Sequence, residues 1–147
     1  MRAEVTVDPS SLDRTASGGI TGRLALRIGE AWFPAPQWHD FPVVVLAWWL
    51  REIVRPLSAS GGSARCRFME GPVAFKVVHQ RVGGWSVILV EGTREHPETE
   101  VDGEVLIRSM STAADRLLAE CARRNWHGDD VEDLRVANEA VSGYRTV

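Results

Sequence analysis

Residues 38–50 read WHDFPVVVLAWWL and run on into Arg51, Glu52 and Arg55. This stretch is a membrane anchor, a core helix or an exposed aromatic surface, and the choice decides the fold. Its unbroken apolar run, Phe41 to Leu50, is far shorter than the roughly 20 residues needed to span a bilayer, so the anchor is excluded. Asp40 is a good N-cap residue. Pro42 is tolerated in a first helical turn, where its missing N–H has no intrahelical partner. The predicted helix runs to about Leu57, with Pro56 marking its end. At about 100° per residue, Trp49 falls on one face with Val45, Leu46 and Ile53, away from the charges. Trp48 shares the azimuth of Phe41, Val44, Arg51, Glu52 and Arg55. A helix apolar nearly all round is usually buried. The expected arrangement therefore covers Phe41, Val44 and Trp48 internally, for instance with the C-terminal helices. The alternative is an aromatic patch rimmed by charge.

Upstream, residues 2–7 alternate as a short strand and DPSSLDRTASGG reads as a turn-rich connection. From Ile20 to Ile28 the period is two: Ile20, Leu24, Leu26 and Ile28 on one face, Thr21, Arg23 and Arg27 on the other. A short partner strand, AWF, ends at Pro34 and Pro36. Downstream of the helix, SASGGS (58–63) is a flexible link. RCRFM (65–69), VAFKVVHQ (73–80) and WSVILVEG (85–92) then form a meander through the Glu70-Gly71-Pro72 and Gly83-Gly84 turns. REHPETE (94–100) reads as a polar loop and VDGEVLIRSM as a fourth strand. From Thr112, Ala114, Leu117, Leu118, Cys121 and Ala122 recur at helical spacing until Gly128 stops them. Asp129 or Asp130 can cap a last helix carrying Val131, Leu134, Ala137 and Val141. The sum is an α+β fold in one domain, residues 1–147: an antiparallel sheet meander with one inserted helix and two C-terminal helices packed on it.

The composition is that of a globular chain: 44% hydrophobic and 25% charged, with a formal net charge of −3. No stripe of basic residues stands out, so a sequence-independent grip on nucleic acid is not expected. Cys66 and Cys121 read as small buried hydrophobes. The N-terminus has no apolar stretch of signal-peptide type, and a cytoplasmic location is expected.

No catalytic signature emerges. His39 and His127 sit beside acids at helix ends, where Asp40, Asp129 and Asp130 are better read as caps than as metal ligands. There is no G-x-S-x-G elbow, and neither cysteine has an electropositive setting. The glycines of SGGITGR precede a strand rather than a helix N-terminus, so they do not form a phosphate cradle. The acid pairs Glu91/Glu95 and Glu98/Glu100 fall at a strand end and in a polar loop, where solvent keeps them ordinary. Neither a metal nor a cofactor is expected. His79 shares a strand face with Phe75 and Val77. It is a core residue on the ordinary reading and a pocket residue if an active site lies between sheet and helices.

What remains is tryptophan, six in all. Tryptophan is favoured both in cores and at interfaces, because it joins large apolar area to a polar N–H. Trp49 and Trp85 read as core. FPVVVLAWWL, the FMEGP turn and the WSVILVEG strand together resemble small actinobacterial proteins of the immunity type found alongside secreted polymorphic toxins, over roughly residues 20–108. The resemblance implies a non-enzymatic protein that binds and blocks a protein partner, such as a cognate toxin, and it carries over no active site. The candidate contacts are Trp38, His39, Asp40, Phe41 and Trp48, with Arg51 and Arg55 at the rim. A second candidate surface is Glu95, His96, Glu98 and Glu100. A small-molecule-binding domain or enzyme, and a structural subunit of a larger complex, are the alternatives.

Overall fold

In the computed structural model, which describes residues 1–145, the chain is an α+β fold of nine strands and three helices. The expected meander is divided into two antiparallel sheets. The first holds β1 (Ala3–Arg14), β2 (Ile20–Ile28), β3 (Ala31–Phe33) and β4 (His39–Asp40). β2 pairs with β1 on one side and successively with β4 and β3 on the other. The predicted connection after residue 7 is instead a bulge within β1. Asp8 accepts hydrogen bonds from the Ser10 backbone and hydroxyl, and pairing resumes at Asp13 and Arg14 opposite Thr21 and Ile20. The turn chemistry is present there, but the strand continues past it and buries Leu12.

The helix α1 (Pro42–Ser58) leads to the second sheet: β5 (Ser63–Arg67), β6 (Val73–His79), β7 (Trp85–Glu91), β8 (Arg94–Glu95) and β9 (Thr99–Val101). The polar segment 94–100 is therefore not a free loop, since β8 and β9 both pair with β7. The stretch expected as a fourth strand divides at Asp102. Its carboxylate accepts the Val105 N–H at 3.1 Å, which makes it the N-cap of α2 (Gly103–Arg123). The alternation of Val105 and Ile107 is only local, and the longer spacing Leu106, Met110, Ala113, Leu117, Cys121 is buried along one helix face. Asn125, at φ 59°, and not Gly128 ends α2. The Trp126 and Asn125 N–H groups return to the Cys121 and Ala122 carbonyls in a Schellman arrangement. The helix α3 (Asp129–Arg145) follows. It is pinned to α2 by a polar chain in which Ser111 donates to Asn138 Oδ1 and Asn138 Nδ2 donates to Asp115.

One continuous core joins the sheets and helices. The helix α1 sends Val45, Leu46, Trp49 and Ile53 into it, all fully buried, as the azimuths require. The Trp49 indole meets Phe68 and Phe75 edge-on at 5.0 and 4.9 Å. Phe68 in turn touches Phe33 and Trp38, so it is the ring through which the two sheets meet. Trp85 is only half-buried, contrary to the core reading. It stacks on His79 at 4.1 Å and 3°, and it lies against Gly103 at the first position of α2. No helix among the described residues is long and apolar enough to cross a membrane.

The end of α2 is braced by Glu120, held between Arg123 and Arg124, while Arg124 also donates to the Leu12 carbonyl. Hydrogen bonds from the two guanidiniums lower the Glu120 carboxyl from 4.5 to about 2. A depressed carboxylate adds stability above its unfolded pKa and loses it as pH falls toward the folded one. The stability difference between wild type and Glu120→Gln should therefore shrink as pH falls from about 5 toward about 2. Urea melts across that range check it.

Two helical glycines should respond to alanine with opposite signs. A Cβ at Gly103 would sit 2.3 Å from the Trp85 ring, so Gly103→Ala should cost about 1–3 kcal/mol despite the better helix propensity. A Cβ at Gly143 meets nothing within 4 Å, and Gly143→Ala should gain up to about 1 kcal/mol. Equilibrium urea unfolding of both variants decides this.

Candidate interaction surface

The surface is built on the segment that runs from β4 into α1 and on residues 67–71, which pass alongside it after β5. Asp40 joins the two. It is 1% exposed, and its carboxylate accepts four N–H groups. Oδ1 takes Phe41 N at 2.7 Å and Met69 N at 3.3 Å, and Oδ2 takes Trp38 Nε1 at 2.9 Å and Glu70 N at 3.1 Å. This corrects two expectations. Asp40 does not cap the helix, since Phe41 occupies the N-cap position without a side-chain cap, and a buried, fully bonded carboxylate cannot touch a partner. Its work is to hold the FMEGP turn against the start of α1. Trp49 Nε1 donates to the Arg67 carbonyl at 2.7 Å and repeats that attachment two turns along. Trp38 lies beside Gly71, whose φ of +78° makes the sharp return that brings its backbone there.

With the turn held in this way, the outward azimuth of α1 stays open. Phe41, Val44, Trp48 and Glu52 are half-buried, and Arg51 and Arg55 are exposed. The expected internal cover is partial: Phe41 and Trp48 pack against the edge of the core, and they and Val44 keep part of their surface in water. The residues named from the sequence separate into two grooves. Trp38, His39, Asp40 and Phe41 line one of about 460 Å³ with Thr21, Gln37 and Glu70. Trp48 and Arg51 line another of about 600 Å³ with Glu52, Arg65 and Arg67. In the second groove the Arg67 guanidinium lies 5.5 Å over the Trp48 ring. Arg65 and Arg67 were not identified as site residues from the sequence. The signal was present, because SARCR alternates and must place both on the face opposite Ala64 and Cys66. Cys66 is buried on the other side, and burial, with the nearby Glu52 charge second, holds its thiol well above the ordinary value.

The second predicted surface does not form a free acidic patch. Glu95 is paired with Lys76, whose hydrogen bond and charge lower its carboxyl below the usual range, with a smaller contribution from Arg65. His96 Nε2 lies 2.7 Å from Glu91. Glu98 accepts from Ser86 and Gln80, and Glu100 is exposed on β9. His79 is not in a site either. Its Nδ1 donates to the Pro56 carbonyl at 2.7 Å, which satisfies an acceptor in the last turn of α1, and Trp85 covers its ring. Among the described residues no group of three His, Cys, Asp or Glu side chains could hold a metal ion.

No family model matches this chain, and no curated protein or solved structure matches it.

Removing the Asp40 side chain strands four N–H groups in a site closed to water. Asp40→Ala should therefore cost on the order of 3–5 kcal/mol, more than an exposed cap would. A chemical melt read by tryptophan fluorescence measures it, and a loss below about 1 kcal/mol would return Asp40 to an ordinary cap.

Proposed function

We propose that this chain is a non-enzymatic binding protein that docks its α1 face onto a protein partner and blocks it. A toxin of the polymorphic secreted class is the first candidate, on the resemblance of its aromatic helix and hairpins to immunity-type proteins. A single observation carries the reading: Phe41, Val44 and Trp48 stay half-exposed along one azimuth of α1. They present aromatic area on a rigid helix beside exposed arginines. Aromatic residues and arginine are the residue types that dominate binding energy at protein interfaces, and a rigid scaffold keeps the ordering cost of association low. Blocking by occlusion needs only such a scaffold. The helix is held by Asp40 at its start, by Trp49 in its middle and by His79 at its last turn. The reading places the protein in the cytoplasm, where a producing cell would need protection.

Coexpression with the protein encoded beside its gene tests this, with Trp48→Ala as the probe of the face. Trp48 is half-buried, so its truncation should cost about 1–2 kcal/mol of stability, below the about 3–5 of a core tryptophan. The variant should stay folded but lose copurification. Cell killing despite the wild-type protein, or full capture by the folded Trp48→Ala variant, would overturn the proposal.

A further inference from the structure

The charges around Trp48 differ from those on the terminal helices. There, Arg108, Arg123, Arg124 and Arg135 each hold a carboxylate of their own helix. Around Trp48, the exposed Arg51, Arg55, Arg65 and Arg67 form no ion pair among the described residues. Glu95, whose carboxylate the Arg65 charge also reaches, accepts its hydrogen bond from Lys76 instead. Three of these arginines line the Trp48 groove against the single carboxylate of Glu52, which is half-buried. Unpaired like charges gathered on a small face oppose folding through repulsion. A cluster kept against a local stability rule marks a place where something else is bound.

From this we infer that the groove between α1 and β5 takes an acidic segment of the protein partner: carboxylates on the guanidiniums of Arg51, Arg65 and Arg67, and a neighbouring apolar side chain on the exposed part of Trp48. The inference rests on the protein-binding reading above and specifies the chemistry of the partner. Guanidinium forks match carboxylates bidentately, and the groove of about 600 Å³ has room for a few side chains. Single-stranded nucleic acid also combines anions with planar groups, but the geometry favours the peptide. A base needs an open aromatic face on which to stack, and the Trp48 face is already covered by Arg67. The chain also carries a net charge of −3, which does not favour a phosphate backbone.

Fluorescence anisotropy with a labelled peptide of glutamates flanking a central Phe-Leu pair tests the inference. The controls are the same peptide with glutamine for glutamate and an oligothymidine of equal charge. The glutamate peptide should bind, and its affinity should fall about tenfold or more between about 20 and about 300 mM salt. Arg65→Gln with Arg67→Gln should weaken it about tenfold or more, whereas Arg108→Gln on α2 should not. Both arginines are exposed and their replacement relieves mutual repulsion, so the double variant should keep its wild-type circular dichroism and a melting midpoint no lower than wild type. Equal binding of the glutamine peptide, tighter binding of oligothymidine, or no binding of the glutamate peptide at low salt would each overturn the inference. The same double variant in the coexpression assay separates the two readings. A partner captured equally by wild type and variant removes the groove and leaves the binding protein. A partner that the wild type fails to capture removes the binding reading, while the peptide result still decides the chemistry of the groove.

Discussion

A buried carboxylate must find donors, and at Asp40 it finds four, from Trp38, Phe41, Met69 and Glu70. Those donors belong to the end of the first sheet, the start of α1 and the turn between β5 and β6. The two sheets are separate ladders, joined on the backbone by the bond from the Asp102 N–H to the Met1 carbonyl, so most of their mutual placement comes from side chains. Asp40 supplies the polar half of that junction, and the cluster of Phe33, Trp38, Trp49 and Phe75 around Phe68 supplies the apolar half. Each half protects the other: the rings keep water from the carboxylate, and the carboxylate holds the backbone that carries Phe68.

The interaction surface follows from this junction. Once residues 67–71 are held beside α1, Arg67 comes to lie over Trp48, and Arg65, two residues earlier on the same face of β5, lines the same groove. The inner face of α1 is taken up by Trp49 and its neighbours, and the outer azimuth keeps Phe41, Val44 and Trp48 half-buried. Trp48 is left half in water, among guanidiniums that form no ion pair among the described residues. Trp38 is held by Asp40 and Phe68 and Trp85 by His79 and Gly103, while Trp32 and Trp126 lie under Arg27 and Arg124 as Trp48 lies under Arg67.

Much of the fold was legible because periodicity records burial. The alternation in β2, the hairpins of β6 and β7, and the separate fates of Trp49 and Trp48 on α1 all follow from one residue's angular distance to the next. Errors fell where local chemistry permits two outcomes. DPSS has turn chemistry whether the chain leaves the sheet or bulges within it, and Val105 and Ile107 alternate whether they lie in a strand or in the first turns of α2. Asp40 has the composition of a cap, and only long-range donors 29 and 30 residues away reveal its other role. Of the candidate surface, Trp48 and Arg51 were legible on their own helix. Arg65 and Arg67 were not, because their nearness to Trp48 depends on how β5 packs beside α1.

By itself the sequence determined the element types where one period dominates, the core faces of β2 and α1, and the excess of aromatic area on α1. These are local consequences of side-chain spacing, readable without knowing what packs on what. The tertiary structure decided which aromatic residues stay in water and which arginines lack a carboxylate. Exposure and pairing are properties of neighbours brought together across the chain. Here the neighbours were chosen by the need to satisfy one buried carboxylate and one buried indole.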